Sequence, residues 1–364
     1  MAEERVSVAS QWQLMWWRFR RHRLAMAGTA VVLAFYLVVL LADFLAYSSP
    51  TASEAQRSLL PPQPIHWFAG GRFHPHVYGL TGIRDPNTLK RVYTPDPSIT
   101  IPVRLFAPGF PYRFLGLVPA DRHLLGVEGA AAEASLFLLG TDEQGRDLWS
   151  RLVYATRTSL TIGLLGVALS LLLGVALGGV SGLYGGVADT VIQRVIEILR
   201  SIPTIPLWMG LAAALPNEWT VTQVYFAITV IISLVGWTEL ARVVRGRFLS
   251  LREEDFVMAA ELAGCGQMRI IFTHLVPSFL SHIIAATTLA LPAMIISETS
   301  LSFLGLGLRP PAISWGVLLQ QAQNIQSLAI SPWLLISAVP VIIVILALNF
   351  MGDGLRDAAD PYGQ

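Results

Sequence analysis

"REEDFVMAAELAGCGQMRIIFTHLVP", residues 252 to 277, is a polar interruption between two long apolar runs in the second half of the chain. It begins with an arginine and three acids, and it then carries alanines and glycines at helical spacing. Such a segment predicts a short helical loop at one face of a membrane, provided that the runs on either side of it cross the membrane.

The whole chain has a composition typical of a polytopic membrane protein. Of its 364 residues, 54% are hydrophobic and only 13% are charged, and the mean hydropathy is +0.57. A formal net charge of +1 gives no electrostatic reason to expect nucleic acid as a partner. Cys265 is the only cysteine, which excludes an intramolecular disulfide and a cysteine-built metal site.

The sequence also contains no motif for ATP binding, hydrolysis or metal binding. Lys90 is the only lysine, and it follows Leu89 rather than the glycine of a phosphate-binding G-x-x-x-x-G-K-[ST] loop. The seven histidines show no zinc-ligand spacing, and there is no G-x-S-x-G motif. We therefore expect that this chain is not an enzyme and holds neither a metal nor a cofactor of its own.

Six apolar stretches are long enough to cross a bilayer, for which about 20 residues are needed. They cover residues 24–47, 156–181, 190–215, 222–245, 278–304 and 331–351. The third is the least regular, because it begins as an amphipathic turn and is interrupted by Pro203 and Pro206. The pattern predicts an all-α polytopic membrane protein with six transmembrane helices: a first helix at 24–47 and a five-helix core within 156–351.

Arginines set the predicted orientation of these helices. Four arginines directly precede the first span, and four more cluster around the end of the fourth: Arg18, Arg20, Arg21, Arg23, Arg242, Arg245, Arg247 and Arg252. By the positive-inside rule both positions face the cytoplasm. The N-terminus (1–23), the loop (250–277) and the C-terminus (352–364) are then all predicted to be cytoplasmic.

The region 48–155 is therefore predicted to be an extracytoplasmic insertion between the first two helices. It is rich in proline and aromatic residues, and its alternating run "SITIPVRLF" (98–106) has the pattern of a β-strand. A segment of this length is better interpreted as a small subdomain of mixed structure than as an open loop. The alternative is a lid that only covers the ends of the helices.

Glycines and prolines within the spans predict close packing and bends. Gly174, Gly178, Gly182 and Gly186 recur every four residues and would form a seam on which another helix packs closely. Pro203 and Pro206 would kink the third span. The kinked span is either one wall of a translocation path or a purely structural bend.

Two of the glutamates within the predicted spans are candidates for a role beyond the helix surface. Glu298, near the outer part of the fifth, is either a gate residue facing the bundle interior or a helix-end residue bonded to Ser300 and Ser302. Glu239 has Arg242 one turn away, which predicts an ordinary ion pair along the helix.

The quoted loop itself predicts two short helices. Ser250 and Glu253 have the spacing of a capping box, and the helix that follows would run to Ala263 and stop at Gly264. Phe256, Ala260 and Ala263 would form one stripe of that helix, with Ala259 widening its small-residue surface. A second helix, with Arg269 and His274, would run from Gln267 and end before Pro277. This arrangement suits a groove in another protein better than the surface of a bilayer, which would need large apolar anchors and more basic residues.

The loop resembles the cytoplasmic "EAA" loop of permeases in ATP-binding-cassette (ABC) importers. The matching positions are Ala259, Ala260, Gly264, His274 and Pro277. The resemblance implies that these residues, with Phe256 and Arg269 beside them, form a coupling loop that receives force from an ATPase. Met258 stands where the family has the glutamate of the motif, so a charged contact with the ATPase is not expected there.

Three further stretches resemble signatures of the dipeptide, oligopeptide and nickel permeases within that family. They are "LLGTDEQGRDLWSRLVYATRTSL" (138–160), "ETSLSFLGLGLRPPAISWG" (298–316) and "NFMGDGLRDAADP" (349–361). The extracytoplasmic signature consists of Gly140, Thr141, Asp142, Gly145, Arg146 and Asp147, which we expect near the outer gate and a binding protein. Residues 1–47 fit the family by topology alone, and 48–137 match no part of it.

The resemblance implies one membrane subunit of an ATP-driven importer in the inner or cytoplasmic membrane of a bacterium or archaeon. The implied partners are a second related permease, two ATPase subunits that hold ATP and Mg²⁺, an extracytoplasmic solute-binding protein and the lipid bilayer. The implied substrates are di- or oligopeptides, with oligosaccharides and nickel as alternatives, and the path candidates are Pro203, Pro206 and Glu298. A stand-alone secondary transporter is the competing class, but it would require an inverted repeat and several intramembrane charges.

Overall fold

The computed structural model describes residues 11–84, 91–127 and 136–359. Parts of the predicted insertion (85–90 and 128–135), residues 1–10 of the predicted N-terminal segment and the end of the 349–361 motif lie outside these ranges. The α-helices, in chain order, are α1 (Gln11–Arg21), α2 (Arg23–Leu40), α3 (Ala42–Leu45), α4 (Leu148–Tyr184), α5 (Gly186–Ser201), α6 (Thr204–Ala213), α7 (Val221–Leu251), α8 (Asp255–Leu262), α9 (Gln267–Arg269), α10 (Val276–Ser278), α11 (Leu280–Phe303), α12 (Trp315–Gln321), α13 (Ile325–Ile330) and α14 (Ala338–Ala359). Between α9 and α10 the chain forms a π-helical turn, Ile270–Leu275.

Five helical segments in the described ranges are long and apolar enough to cross a membrane. They are α2, α4, α7, α11 and Pro332–Ala359, which contains α14. A sixth candidate is the pair α5 and α6, which are bent by 90° at the break between them. The structure therefore confirms a mostly helical chain with five or six candidate membrane helices, the irregular third span being the broken one.

Several helices extend beyond the apolar runs that predicted them. Helix α4 begins at Leu148 rather than at 156, α7 continues to Leu251 rather than 245, and α14 continues to Ala359 rather than 351. At the start of α4 the reason is visible, because the carboxylate of Asp147 accepts a hydrogen bond from the Ser150 backbone N–H at 2.7 Å and so caps the helix. A polar cap outside the apolar run leaves no trace in hydropathy.

The chain forms two compact units. The first contains Met1–Ala34, Leu160–Leu308 and Ile342–Gln364, and the second contains Phe35–Ser159 and Arg309–Val341. In the first unit α7 and α11 form the main core, where Ile228, Ile232, Met294 and Leu301 are buried together with Val167 of α4. All five are apolar, so this core is held by burial and close packing.

In the second unit the predicted insertion forms a four-stranded antiparallel sheet. Its strands β1 (His66–Ala69), β2 (Arg72–Arg84), β3 (Arg91–Phe114) and β4 (Val118–Val127) follow one another in chain order. Gly70 and Gly71, both with positive φ, make the tight β1–β2 turn. The run 98–106 lies inside β3, where Ile101 and Val103 are buried against Val77. In the part of the chain that the structure describes, the sheet lies within the predicted insertion and the remainder is helical.

Candidate functional site

The loop between α7 and α11 is a compact helical unit that packs on the ends of both helices. Its buried side chains include Val257 of α8 and Leu275 of the π-helical turn, which share one apolar cluster with Phe248 of α7, Phe279 just before α11 and Ile283 of α11. Phe248 and Phe279 meet edge to face with ring centroids 5.6 Å apart. A force applied to this loop is therefore transmitted directly to α7 and α11.

The first helix of the loop ends as the sequence predicts but begins differently. Gly264 has φ of 76°, its N–H donates to Glu261 O, and the Cys265 N–H donates to Ala260 O, which together make a Schellman motif. The predicted capping box is wrong. Ser250 lies within α7 and its hydroxyl donates to Gly246 O at 3.3 Å, so α8 starts only after Glu254.

The predicted surface of α8 is also wrong in part. Ala260 is buried in the loop's own core, while Phe256, Ala259 and Ala263 are exposed, so the three residues of the proposed stripe do not share one surface. Large apolar side chains are exposed instead. This apolar set comprises Phe256, Met258, Leu262, Met268 and Phe272, and Leu262 is 90% exposed.

The second half of the loop continues past the predicted end. Arg269 is exposed and His274 is half-buried, but the helical path runs through Pro277 to Ser278 before Phe279 breaks it with φ of −128°. Proline fits because the wide π-helical turn before it bonds Val276 N–H to Ile271 O and needs no N–H from residue 277.

Gly264 should resist replacement by most other residues for a reason of backbone geometry. A Cβ at this position would meet nothing within 4 Å, so only its φ of 76° disfavours a side chain. We expect Gly264→Val to destabilise the end of α8 by about 1–3 kcal/mol, whereas Gly264→Asn is tolerated. Hydrogen exchange of the 255–265 amides in the purified protein measures this.

The matched control is Gly266→Val. Gly266 also has open space around it, but its φ is −65°, which valine adopts without strain. Equal exchange rates in the Gly264→Val and Gly266→Val variants would contradict the backbone argument.

Three of the four seam glycines lie against α7. A Cβ at Gly174 would meet the Leu240 side chain at 2.9 Å, one at Gly178 the Ala241 carbonyl oxygen at 2.5 Å, and one at Gly182 the Arg245 carbonyl oxygen at 2.9 Å. Gly186 does not belong to the seam, because nothing lies within 4 Å of its Cβ position. With φ of 56° it serves the turn into α5 instead.

The signature residues of the GTDEQGRD segment (140–147) form a buried hydrogen-bonded cluster rather than an open contact surface. Asp142 is fully buried and accepts hydrogen bonds from Arg146 Nε at 2.8 Å and from the Gln144 backbone N–H at 2.9 Å. Trp333 Nε1 donates to Thr141 O at 3.1 Å, and Gly140 and Gly145 both have positive φ. This cluster therefore fixes the start of α4. None of the six predicted signature residues is exposed.

Asp147 is also part of this hydrogen-bonded cluster. Burial raises the pKa of Asp147 to about 6, and the hydrogen bonds that it accepts from Ser150 and Tyr47 oppose that rise. The Tyr47 hydroxyl donates to the carboxylate at 2.9 Å. The carboxylate thus joins the chain before the sheet to the first turn of α4.

The predicted path residues have separate environments. Pro203 caps α6 at the break, as predicted for a kink, but Pro206 lies in the first turn of α6, where its missing N–H breaks no hydrogen bond. Glu298 is fully buried, and Ser302 Oγ donates to its carboxylate at 2.8 Å. Its burial fits a side chain that faces the bundle interior and its bond to Ser302 fits the helix-end interpretation, so both interpretations of Glu298 stay open.

Comparison with known proteins identifies the family. The profile of the "binding-protein-dependent transport system inner membrane component" family matches residues 171–362, and that of the "N-terminal TM domain of oligopeptide transport permease C" matches residues 10–62. The chain belongs to this family of ABC permeases. It is thus a multi-pass component of the inner membrane and a transport subunit rather than an enzyme, and membership implies ATPase and binding-protein partners.

Curated relatives of this permease are peptide permeases. The oligopeptide transport system permease protein OppC of Bacillus subtilis is 36% identical over 61% of the permease and 70% of its own length. The dipeptide transport system permease protein DppC of Haemophilus influenzae is 30% identical over 96% and 94%, respectively. A weaker likeness, with a TM-score of 0.45 and 17% identity, joins 57% of the permease to 96% of a chain of the inward-facing MetNI methionine ABC transporter.

Two ion pairs of the permease were not predicted from its sequence. Glu239 pairs with Arg200 of α5 rather than with Arg242, and Asp189 of α5 accepts two hydrogen bonds from Arg245 of α7, both at 2.6 Å. Sequence separations of 39 and 56 residues hide these pairs from helical spacing. The sequence did contain one signal for these pairs. The third predicted span begins with an amphipathic turn, and its polar face indicates that this turn has polar partners elsewhere in the chain.

Proposed function

We propose that this permease imports short peptides as one of two related membrane subunits of an ABC importer. The N-terminus, the coupling loop and the C-terminus face the cytoplasm, and two ATPase subunits, which hold ATP and Mg²⁺, dock on the loops of the two permeases. A binding protein delivers the peptide to the outer side. The names of the relatives support peptides over oligosaccharides or nickel, and no cluster of three or more metal-binding side chains occurs in the described ranges.

The observation that carries the mechanism is the shared apolar cluster of the loop with α7 and α11. Closure of the ATPases on ATP moves the loop, and because the cluster is tightly packed, α7 and α11 shift with it as rigid bodies. The apolar set is the contact surface for the ATPase, with Met258 in place of a charged residue.

Reconstitution tests this function. The permease, co-expressed with its partner subunits, is placed in vesicles with ATP inside and a loaded binding protein outside, and uptake of labelled peptide, oligosaccharide and Ni²⁺ is measured. We expect ATP-dependent uptake of peptide. Gradient-driven uptake by the permease alone, without ATPases, would instead support a secondary transporter.

Met258→Glu tests the apolar character of the contact. Met258 is 45% exposed, half as much as Leu262, and it stands where the family has a glutamate, so an acid at this position should leave the rest of the apolar contact intact. An exposed ion pair itself contributes only about 0–1 kcal/mol. We therefore expect Met258→Glu to assemble with the ATPases and to retain uptake within about fivefold of the wild type. Pull-down and uptake measure the two properties, and complete loss of assembly would show that the ATPase surface opposite Met258 rejects charge.

A further inference from the structure

The first unit contains an open-sided cavity of about 750 Å³ that is bounded mainly by α7 and α11, with α6 and single residues of α5 and α14 completing the lining. This volume lies within the range of roughly 300–1,000 Å³ of small-molecule sites in proteins. Most of its wall is apolar, with several alanines of α11 and Leu289, Met294 and Trp208. The loop joins α7 to α11, so its movement changes the separation of two walls of the cavity.

Charged groups are present at the same cavity. Arg200 and Glu239 line it as an ion pair between α5 and α7, and Arg356 and His282 also contribute to the lining. The side chains of Arg200 and Glu239 are 39% and 70% exposed. An ion pair this exposed is weak, so a ligand with one positive and one negative end can separate it at small cost.

Trp208 provides a third recognition element. Its Nε1 atom is buried and has no hydrogen-bond partner among the described residues, although Trp208 lines the cavity. A buried donor without an acceptor is unfavourable, so a rotation of the indole that turns Nε1 toward the cavity would let it donate to a carbonyl oxygen of a ligand there.

We propose that this cavity is a transit site for a short peptide with free termini. The peptide carboxylate binds Arg200, its ammonium group binds Glu239, and Trp208 donates to a backbone carbonyl, while the apolar wall accepts varied side chains. The proposal rests on the proposed function and locates the peptide within this subunit.

The lining also distinguishes a peptide from an oligosaccharide. A sugar needs many hydrogen-bond partners, and of the three hydroxyls in the lining, Thr204, Thr238 and Ser297, two already donate within their own helices: Thr238 to Val235 O and Ser297 to Ala293 O. Trp208 is the one aromatic side chain of the lining on which a sugar could stack. A zwitterion with apolar side chains matches these groups better.

Cysteine protection tests the site directly in the complete transporter. In a Cys265→Ser background, Ala286→Cys places a thiol in the wall of α11, and Val230→Cys places one on α7 outside the lining. We expect alanyl-phenylalanine to slow alkylation of Ala286→Cys at least about fivefold and to leave Val230→Cys unchanged. The same dipeptide with blocked termini should not protect, and protection by an oligosaccharide but not by the dipeptide would overturn the proposal.

Neutral variants test the ion pair. Glu239→Gln and Arg200→Gln should each raise the dipeptide concentration needed for protection by about tenfold or more, since each loses a charge-assisted hydrogen bond. Arg194→Gln and Glu197→Gln, the exposed pair on α5 outside the cavity, are the matched controls and should behave as the wild type.

The outcomes separate the two proposals. If the wild type takes up peptide while Ala286→Cys is not protected and Glu239→Gln is neutral, the transit site is wrong and the proposed function stands. If the wild type takes up no peptide under any condition, the proposed function fails, and the transit site fails with it.

Discussion

Gly178→Leu is expected to lower the free energy of unfolding by about 3 kcal/mol, at the upper end of the range for overpacking. A Cβ at Gly178 would lie 2.5 Å from the carbonyl oxygen of Ala241 and 2.9 Å from its Cα. Both atoms belong to the backbone of α7, so no rotamer change can relieve the clash and α4 must move away from α7. The midpoint of thermal aggregation in detergent, followed by size-exclusion chromatography, should fall by several degrees, with a smaller fall for Gly178→Ala.

Gly246→Leu is the matched control. Gly246 is also in a long helix, but it is exposed and nothing lies within 4 Å of its Cβ position. Its replacement should leave stability unchanged or raise it by up to about 1 kcal/mol, because glycine is a poor helix former. If Gly178→Leu and Gly246→Leu were equally stable, the close approach of α4 and α7 would be incorrect.

Leu262→Glu is expected to abolish peptide uptake and to weaken ATPase association by at least about tenfold, since a charge then replaces an apolar contact. Leu262 is 90% exposed in the isolated permease, so the fold has no need of its side chain. We expect the thermal stability of the purified permease to change by less than about 0.5 kcal/mol. Pull-down of the ATPase and ATP-dependent uptake report the two functional effects.

Leu262→Met serves as the control, because it retains an apolar side chain of similar size. It should bind the ATPase and support uptake nearly as the wild type does. Normal uptake by Leu262→Glu would show that the ATPase contacts another part of the loop. A loss of stability in the permease alone would show that Leu262 has an internal partner.

The membrane helices could be predicted because bilayer thickness imposes a length on apolar runs. Gly264 could be predicted as a helix stop because a glycine with positive φ ends helices through local geometry alone. The predicted cap at Ser250 is wrong because tertiary packing outweighs local spacing there. Phe248 is buried in the loop core, and its burial keeps α7 helical through Ser250.

Contacts between distant parts of the chain were the least accessible to sequence reasoning. Glu239 has an arginine one turn away, and nothing in the sequence indicates that Arg200, 39 residues distant, is its partner. Ala260 looked like part of an exposed stripe because helical spacing gives the faces of a helix but not which face meets the core. The transit site depends on such non-local arrangements, and no sequence motif indicates it.

The three close contacts of the glycine seam, with Gly178 against Ala241 in the middle glycine position, give α7 a fulcrum near Ala241. Ala241 lies 10 residues from the loop end of α7 at Leu251 and 20 residues from its other end at Val221. At 1.5 Å per residue the two arms are about 15 Å and about 30 Å long. A tilt about this point would therefore turn a displacement of about 1 Å at the loop into about 2 Å in the opposite direction at Val221. The position of the glycine seam thus sets the ratio between the displacement at the loop and the displacement at Val221. Moving the seam by one helical turn would change that ratio without changing any contact with the ATPase.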